Sequence, residues 1–206
     1  MKENFNLKEL SEYFPFLSKV KIDLYNEMFP IYEYWNLRIN VISQKDIEYL
    51  FVRHILHSLA IAKVYTFKTD EKIIDVGTGG GFPGIPLSIM FPDSEFTLID
   101  SIGKKVKVVD EIVKALNLKN VIAQKSRSNE IKGRFECITG RAVTAFPQFY
   151  EQVKHLIPKS GKIFYLKGGE FENEISRFKS LKVFRISDYF KDEYFETKKL
   201  IYFTKN

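Results

Sequence analysis

The sequence predicts an α/β protein in which a mostly parallel, doubly wound sheet follows a helical segment of about 60 residues. Three observations predict it. From residue 72 onward, short β-rich runs alternate with helical ones. A burst of glycines, Gly77-Thr78-Gly79-Gly80-Gly81, directly follows the first of those runs. Upstream, residues 1–62 carry apolar positions at helical spacing.

The helical segment reads as two periodic stretches, 10–40 and 46–65. Between them NVISQKD (40–46) offers Ser43 and Asp46 as N-caps. The β-rich runs are KIIDV (72–76), EFTLID (95–100), NVIAQ (120–124), FECIT (135–139) and KIFYLK (162–167). Helices are expected over 84–91, 103–116 and 145–157. After KGGE, FENEISRFKS (171–180) reads as a helix, and KVFRISDYF (182–190) and KKLIYFTK (198–205) as a closing pair of strands. We expect residues 1–66 to form an extension packed on a sheet domain of residues 67–206. No internal repeat or low-complexity tract is visible.

Composition narrows the classes. The chain has 206 residues, 45% hydrophobic and 28% charged, enough for one such domain and an extension. Much of its aromatic content, 19 Phe and 11 Tyr, is expected to be core. No apolar run reaches the roughly 18–20 residues of a membrane helix, and MKENFNLKEL lacks a signal-peptide core. The one cysteine, Cys137, excludes an internal disulfide and a multi-cysteine zinc cluster. His54 and His57 lack the further ligands a metal needs. A cytoplasmic monomer with no membrane or metal partner is expected. The net charge of +6 favours a polyanionic partner, since Lys and Arg displace counterions from phosphates. A basic surface kept for solubility is the alternative.

The glycine turn lies where doubly wound sheets bind ligands, beyond the carboxyl ends of the strands. It fails the dinucleotide pattern counted from Gly77, because Phe82 stands where a glycine is required. Counted from Gly79 the pattern finds Gly84, but only past Pro83, and no G-K-[ST] follows for a P-loop. Asp75, two residues before Gly77, would repel a pyrophosphate but suits a cationic amino group; it would equally serve as a helix cap. Asp100, at the end of the second strand, is placed to accept two ribose hydroxyls and is expected to be solvated; otherwise it is a turn residue. Ribose, ammonium and sulfonium without phosphate describe S-adenosylmethionine. Backbone packing alone remains the other account of the glycines.

With these residues in view, IIDVGTGGGFPGIPLSIMFPDSEFTLIDS closely resembles the first motif of the RsmG family, also called GidB, the 16S rRNA guanine-N7 methyltransferases. The resemblance extends over most of the chain. YWNLRINVIS, RHILHSL, SRSNE, ITGRAVTAF and YLKGG resemble the family's further segments. It implies a class I S-adenosylmethionine-dependent methyltransferase, with a Rossmann-like, seven-stranded sheet, acting on N7 of a guanosine in 16S rRNA or the small subunit. The implied nucleotide is position 527 in the 530 loop. Carried over by position, cofactor contacts fall on Gly77, Phe82, Ser128, Asn129 and Arg141, beside Asp75, Gly79 and Asp100 from the residues themselves. Ser128-Asn129 replaces the family's Ala-Glu, and His57 replaces its Asp.

N7 of guanine has a free lone pair, so transfer needs orientation and no general base. Arg141 and Arg127, after the fourth and third strands, are candidate positioning residues; Arg141 could instead form a surface ion pair or a buried structural one, and Arg127 a structural salt bridge. Six lysines between 101 and 125 (104, 105, 107, 114, 119 and 125) face two acids, Asp110 and Glu111, and form either an RNA-facing surface or a solvated one. Cys137, within a strand, reads as core. A nucleotide-cofactor oxidoreductase is disfavoured by Phe82 and Asp75, and a non-catalytic RNA-binding module by the intact glycine turn and ribose acid.

Overall fold

Short apolar runs produce seven strands among the described residues: β1 (Lys72–Val76), β2 (Glu95–Asp100), β3 (Val121–Lys125), β4 (Cys137–Arg141), β5 (Lys162–Gly168), β6 (Leu181–Arg185) and β7 (Lys198–Thr204). The structure, a computed structural model, describes residues 7–205. The part of the expected helical segment on residues 1–6 lies outside them. Alternate strand residues feed two cores. Ile73, Phe164 and Leu166 join one, while Ile74, Ile163 and Tyr165 join the other. Burial on both faces requires such near-continuous apolar strands.

The strands form one sheet in the order β3-β2-β1-β4-β5-β7-β6. The first five are parallel, and β7 runs antiparallel to both β5 and β6. The expected mostly parallel, seven-stranded sheet is therefore the one that forms. Strand order reverses between β1 and β4, which makes the turn after β1 the switch point. Helices α1 (Leu7–Tyr13), α2 (Lys19–Asn36), α3 (His57–Val64), α4 (Gly84–Met90) and α5 (Gly103–Ala115) cover one face. The other is covered by α6 (Phe146–Val153) and α7 (Glu172–Ile175).

Several elements depart from the sequence expectation. Pro15 lacks an N–H and disfavours helix before it, so α1 stops at Tyr13 and Ser18 caps α2 by accepting from Lys21 N. The stretch 46–65 becomes a 3₁₀ turn (Ile47–Tyr49), a π-helical segment (Leu50–Leu56) and then α3. Neither Ser43 nor Asp46 caps it; Asp46 pairs with Arg53 at 2.5 Å. FENEISRFKS yields only the single turn of α7, because the Ser180 carbonyl already accepts from Thr204 N as the chain extends into β6.

The N-terminal helices share the first core with α4 and α5 and are fastened to the sheet domain by polar contacts. Tyr25 donates to the Pro86 carbonyl at 2.8 Å, Tyr32 to the Gly80 carbonyl at 2.6 Å, and Lys21 to the Met90 carbonyl at 2.6 Å. Tyr32→Phe leaves the Gly80 carbonyl without its buried donor. It is expected to lower the unfolding free energy by about 1–3 kcal/mol, seen as a lower urea midpoint at unchanged slope. A wild-type midpoint would mean that Gly80 finds another donor.

Candidate functional site

The turn after β1 is shaped by steric demands. Gly77 has φ +71°, and a Cβ there would meet Val143 Cγ2 at 2.9 Å. At Gly84, where α4 starts, a Cβ would lie 2.6 Å from Leu98 Cγ, so only glycine lets α4 approach β2. Asp75 fixes the turn from beneath. Its fully buried carboxylate accepts from Thr78 Oγ1 (2.6 Å), Thr139 Oγ1 (3.0 Å) and Gly84 N (3.1 Å). Burial pushes its pKa up, opposed by those three donors. Asp75 thus acts as a cap within the turn and does not reach the cavity wall.

Above the turn lies a cavity of about 950 Å³. Gly77, Gly79, Phe82, Asp100, Ser128 and Asn129 line it, together with Arg127 and Arg141, so every sequence-predicted site residue except Asp75 meets there. Asp100 is only 8% exposed, which corrects the expectation of a solvated acid. The reason is its double duty: one oxygen accepts from Gly79 N at 3.0 Å and the other from Ile102 N at 2.8 Å. Ser128 and Asn129 sit on a 3₁₀ turn (Ser128–Glu130) fixed by Glu130, whose carboxylate accepts from Arg127 N and Ser126 Oγ. These donors, the Arg127 N–H first, hold the Glu130 carboxyl below its usual range. Arg127 itself is exposed.

Arg141 ends β4 and is paired in register with Leu166. Its guanidinium lies inside, donating to the Arg53 carbonyl at 3.1 Å and reaching His54 Nδ1 at 2.9 Å, with the Phe82 ring 5.1 Å away. Burial holds its pKa below the ordinary arginine value. No carboxylate among the described residues lies within ion-pair distance of it, so the alternative of a structural salt bridge is not what forms.

Sequence reasoning assigned no role to part of the wall. Val41, Ile42 and Ser43 line the cavity because Asn36 Oδ1 accepts from both Val41 N and Ile42 N. The segment YWNLRINVIS carried that signal in its Trp-Asn pair. Gln152 and His155, from the end of α6 and just beyond it, close the far side; nothing in their spacing announced this. Of the six lysines, Lys105 reaches the cavity, Lys104 and Lys107 are exposed, and Lys114 pairs with Asp110 and Glu111. Cys137 is buried at the other end of β4, its thiol 3.3 Å from Glu71 Oε1.

The family model described as GidB, rRNA small subunit methyltransferase G, matches residues 20–198. A ribosomal RNA small subunit methyltransferase G of Christiangramia forsetii is 48% identical over 202 residues, covering 95% of this chain and 96% of that protein. One from Bacteroides thetaiotaomicron is 44% identical, covering 93% and 96%. Among solved structures, a SAM dependent methyltransferase from Aquifex aeolicus superposes with a TM-score of 0.58 at 18% identity, covering 72% of this chain and 89% of that one. A ribosomal protein L11 methylase from Lactobacillus delbrueckii subsp. bulgaricus gives 0.56 at 17%, covering 73% and 77%. At these identities the two structures speak to the fold.

Two histidines beside Arg141 generate a pH prediction. Burial first, then the Arg141 charge, hold His54 and His57 well below the ordinary value of 6.5. The unfolded chain therefore binds more protons below that pH, so stability is complete above about pH 6.5 and declines as pH falls. Each histidine contributes a slope approaching about 1.4 kcal/mol per pH unit. Urea unfolding between about pH 7.5 and 5 should show this slope, flattened in a His54→Gln/His57→Gln variant. Equal slopes in both proteins would remove the histidines as its source.

Proposed function

Because the chain belongs to the rRNA small subunit methyltransferase G family, we propose that it transfers the methyl group of S-adenosylmethionine to N7 of a guanosine in 16S rRNA. The family resemblance in the sequence points to position 527. In this reading residues 1–66 are an extension packed on the 67–206 core, and the enzyme works as a cytoplasmic monomer.

One observation carries the cofactor assignment: Asp100 and the glycine turn meet across a single hydrogen bond at the cavity wall. An ionised carboxylate has about four lone-pair sites, and Gly79 N and Ile102 N occupy two. Two remain for ribose hydroxyls. Beside them, a Cβ at Gly79 would meet only the Gly77 carbonyl at 4.0 Å, so the space over the turn is open to a ligand. Arg141 uses two of its five donors on Arg53 and His54, which leaves others for a carboxylate or phosphate.

Bound there, the cofactor supplies an electrophilic sulfonium methyl group. The protein's residues orient the acceptor and exclude water, and N7 needs no proton removed. Neutral His54 and cationic Arg141 at the wall accord with such a reaction. A cytosine-C5 mechanism would need an activated thiolate. Cys137 faces Glu71 at the opposite end of β4, and burial pushes its thiol pKa up. An oxidoreductase reading meets Phe82, buried and packed against Tyr32 and His54, where a dinucleotide turn needs glycine. The exposed Lys104 and Lys107 supply positive charge for RNA near the cavity wall at Lys105.

Two experiments test the proposal. Asp100→Ala should weaken S-adenosylmethionine binding by about 1.5–3 kcal/mol in calorimetric titration, with Asp100→Asn less affected because it keeps one acceptor. Unchanged affinity in a folded variant would remove Asp100 from the site. Small-subunit rRNA incubated with the enzyme and methyl-labelled cofactor, then digested to nucleosides, should carry the label as 7-methylguanosine. Label on another guanine atom or on a pyrimidine would refute the N7 assignment.

A further inference from the structure

A second cavity, of about 280 Å³, adjoins the first, and His54, Arg141 and Ala142 line both. Four cationic side chains stand in its wall: Arg53, Arg141, Lys167 and Lys198. Asp46 is the one acid in that wall among the described residues, and it is already paired with Arg53. Lys167 pairs with Glu174 at 2.6 Å. Arg141 and Lys198 have no acid within ion-pair distance among the described residues; the Lys198 ammonium meets Thr197 Oγ1 and lies 4.6 Å from the Tyr194 ring. His57, 4% exposed, also lines the cavity and has its Nε2 buried without a partner. A charge removed from water is ordinarily paired; Arg141 is the one here that is buried without an acid, and the half-buried Lys198 stands across the same cavity, so the two cations offer a place for an anion.

We propose that the second cavity holds a backbone phosphate of the RNA substrate, at or beside the target nucleotide, and thereby positions the acceptor base against the cofactor cavity. The proposal rests on the rRNA methyltransferase reading above. The base itself fits the wall poorly: methylation at N7 leaves a cationic ring, which the two cations without an acid, Arg141 and Lys198, would repel. A phosphodiester matches them and stays anionic through the reaction. The shared wall is also fixed in place. Ala142 adopts φ +50°, its N–H bonds the Leu166 carbonyl, and two residues on the Tyr165 hydroxyl bridges Thr144 N and O. A phosphate gripped from Lys198 and Arg141 would thus sit at a set distance from the methyl donor. Lys198 is a positioning residue in this scheme.

Lys198→Gln tests it, with Lys198→Arg as the charge-preserving control and melting curves to confirm folding. Binding of a small-subunit rRNA fragment is measured across salt concentrations. Lys198→Gln should reduce the slope of log affinity against log salt by about one and weaken binding at low salt about tenfold. At saturating RNA its turnover should also fall, since a misplaced base loses effective molarity. S-adenosylmethionine affinity should remain that of wild type, and Lys198→Arg should recover most of the loss. A reduced slope with full turnover would indicate diffuse steering and overturn the proposal. Weakened cofactor binding with unchanged RNA affinity would return the cavity to the cofactor. Tight binding of inorganic phosphate alone, not displaced by RNA, would make it a free-anion site and equally overturn it. A wild-type protein that binds rRNA with this slope yet transfers no methyl group would sink the proposed activity and leave the phosphate site standing.

Discussion

The turn, helix start and strand that meet beneath the cofactor cavity depend on one buried carboxylate. A glycine-rich turn is the least ordered kind of chain when unfolded, and fixing each backbone residue costs about 1–2 kcal/mol. Asp75 supplies the organising contact. It takes Thr78 from inside the turn, Gly84 from the first residue of α4, and Thr139 from the adjacent strand, its own partner in sheet register. Turn, helix start and β4 are thereby held as one unit in a fully buried setting. Removing any donor there would leave part of a buried carboxylate unsatisfied, an expensive defect. The consequence reaches the cavity through two residues. Thr78 fixes the turn that brings Gly79 to Asp100, and Thr139 lies two positions before Arg141.

The N-terminal helices form the second constraint, and they act on the same turn from the other side. Tyr32 holds the Gly80 carbonyl, Asn36 fixes the loop carrying Val41 and Ile42, and Phe82 lies between Tyr32 and His54. Arg141 completes the closure by donating to the Arg53 carbonyl inside the π-helical segment. Ser58 Oγ takes the next carbonyl, that of His54, at 2.6 Å. Two successive helical carbonyls thus carry donors from outside the backbone ladder, which accords with the widened turn; such π segments recur at functional sites. The extension is in this sense part of the site, and its folding and cofactor binding draw on the same contacts.

This division explains what the sequence disclosed. The strands β1 and β2 were legible to the residue, because apolar runs buried on both faces and bounded by turn residues have few other uses. Gly77, Gly79 and Asp100 were legible because strand ends at a switch point place them there. The π segment was not, since it is stabilised by Arg141, some 88 residues away, and periodicity reports only local spacing. The same blindness placed Asp75 with the ligand: an acid before a glycine turn reads alike whether it faces a cation or caps the chain. Asp100 was expected in solvent because its bond to Gly79 spans 21 residues. Gln152 comes from an amphipathic helix, and His155 from the turn just after it, whose sequence explains the buried face and says nothing of what the other face adjoins.

The electrostatics of the two cavities give the proposed reaction a direction. Arg141 stands between them, and the histidines that contact or flank it are held neutral by burial and by its charge. A neutral guanine meets little opposition on entering beside such a cation while its anionic phosphate is attracted. The proposed transfer to N7 would change the balance, because the positive charge passes from the cofactor sulfur, left as a neutral thioether, to the base. At an effective dielectric near 20, two like charges about 4 Å apart repel by roughly 4 kcal/mol, a figure that bounds the effect from above at larger separations. The acceptor is therefore held more weakly after the reaction than before it, while contacts to the backbone phosphate are unaltered. In the proposed reaction the same fixed charges would both recruit the substrate and loosen the methylated product, and no protein proton would need to move for it.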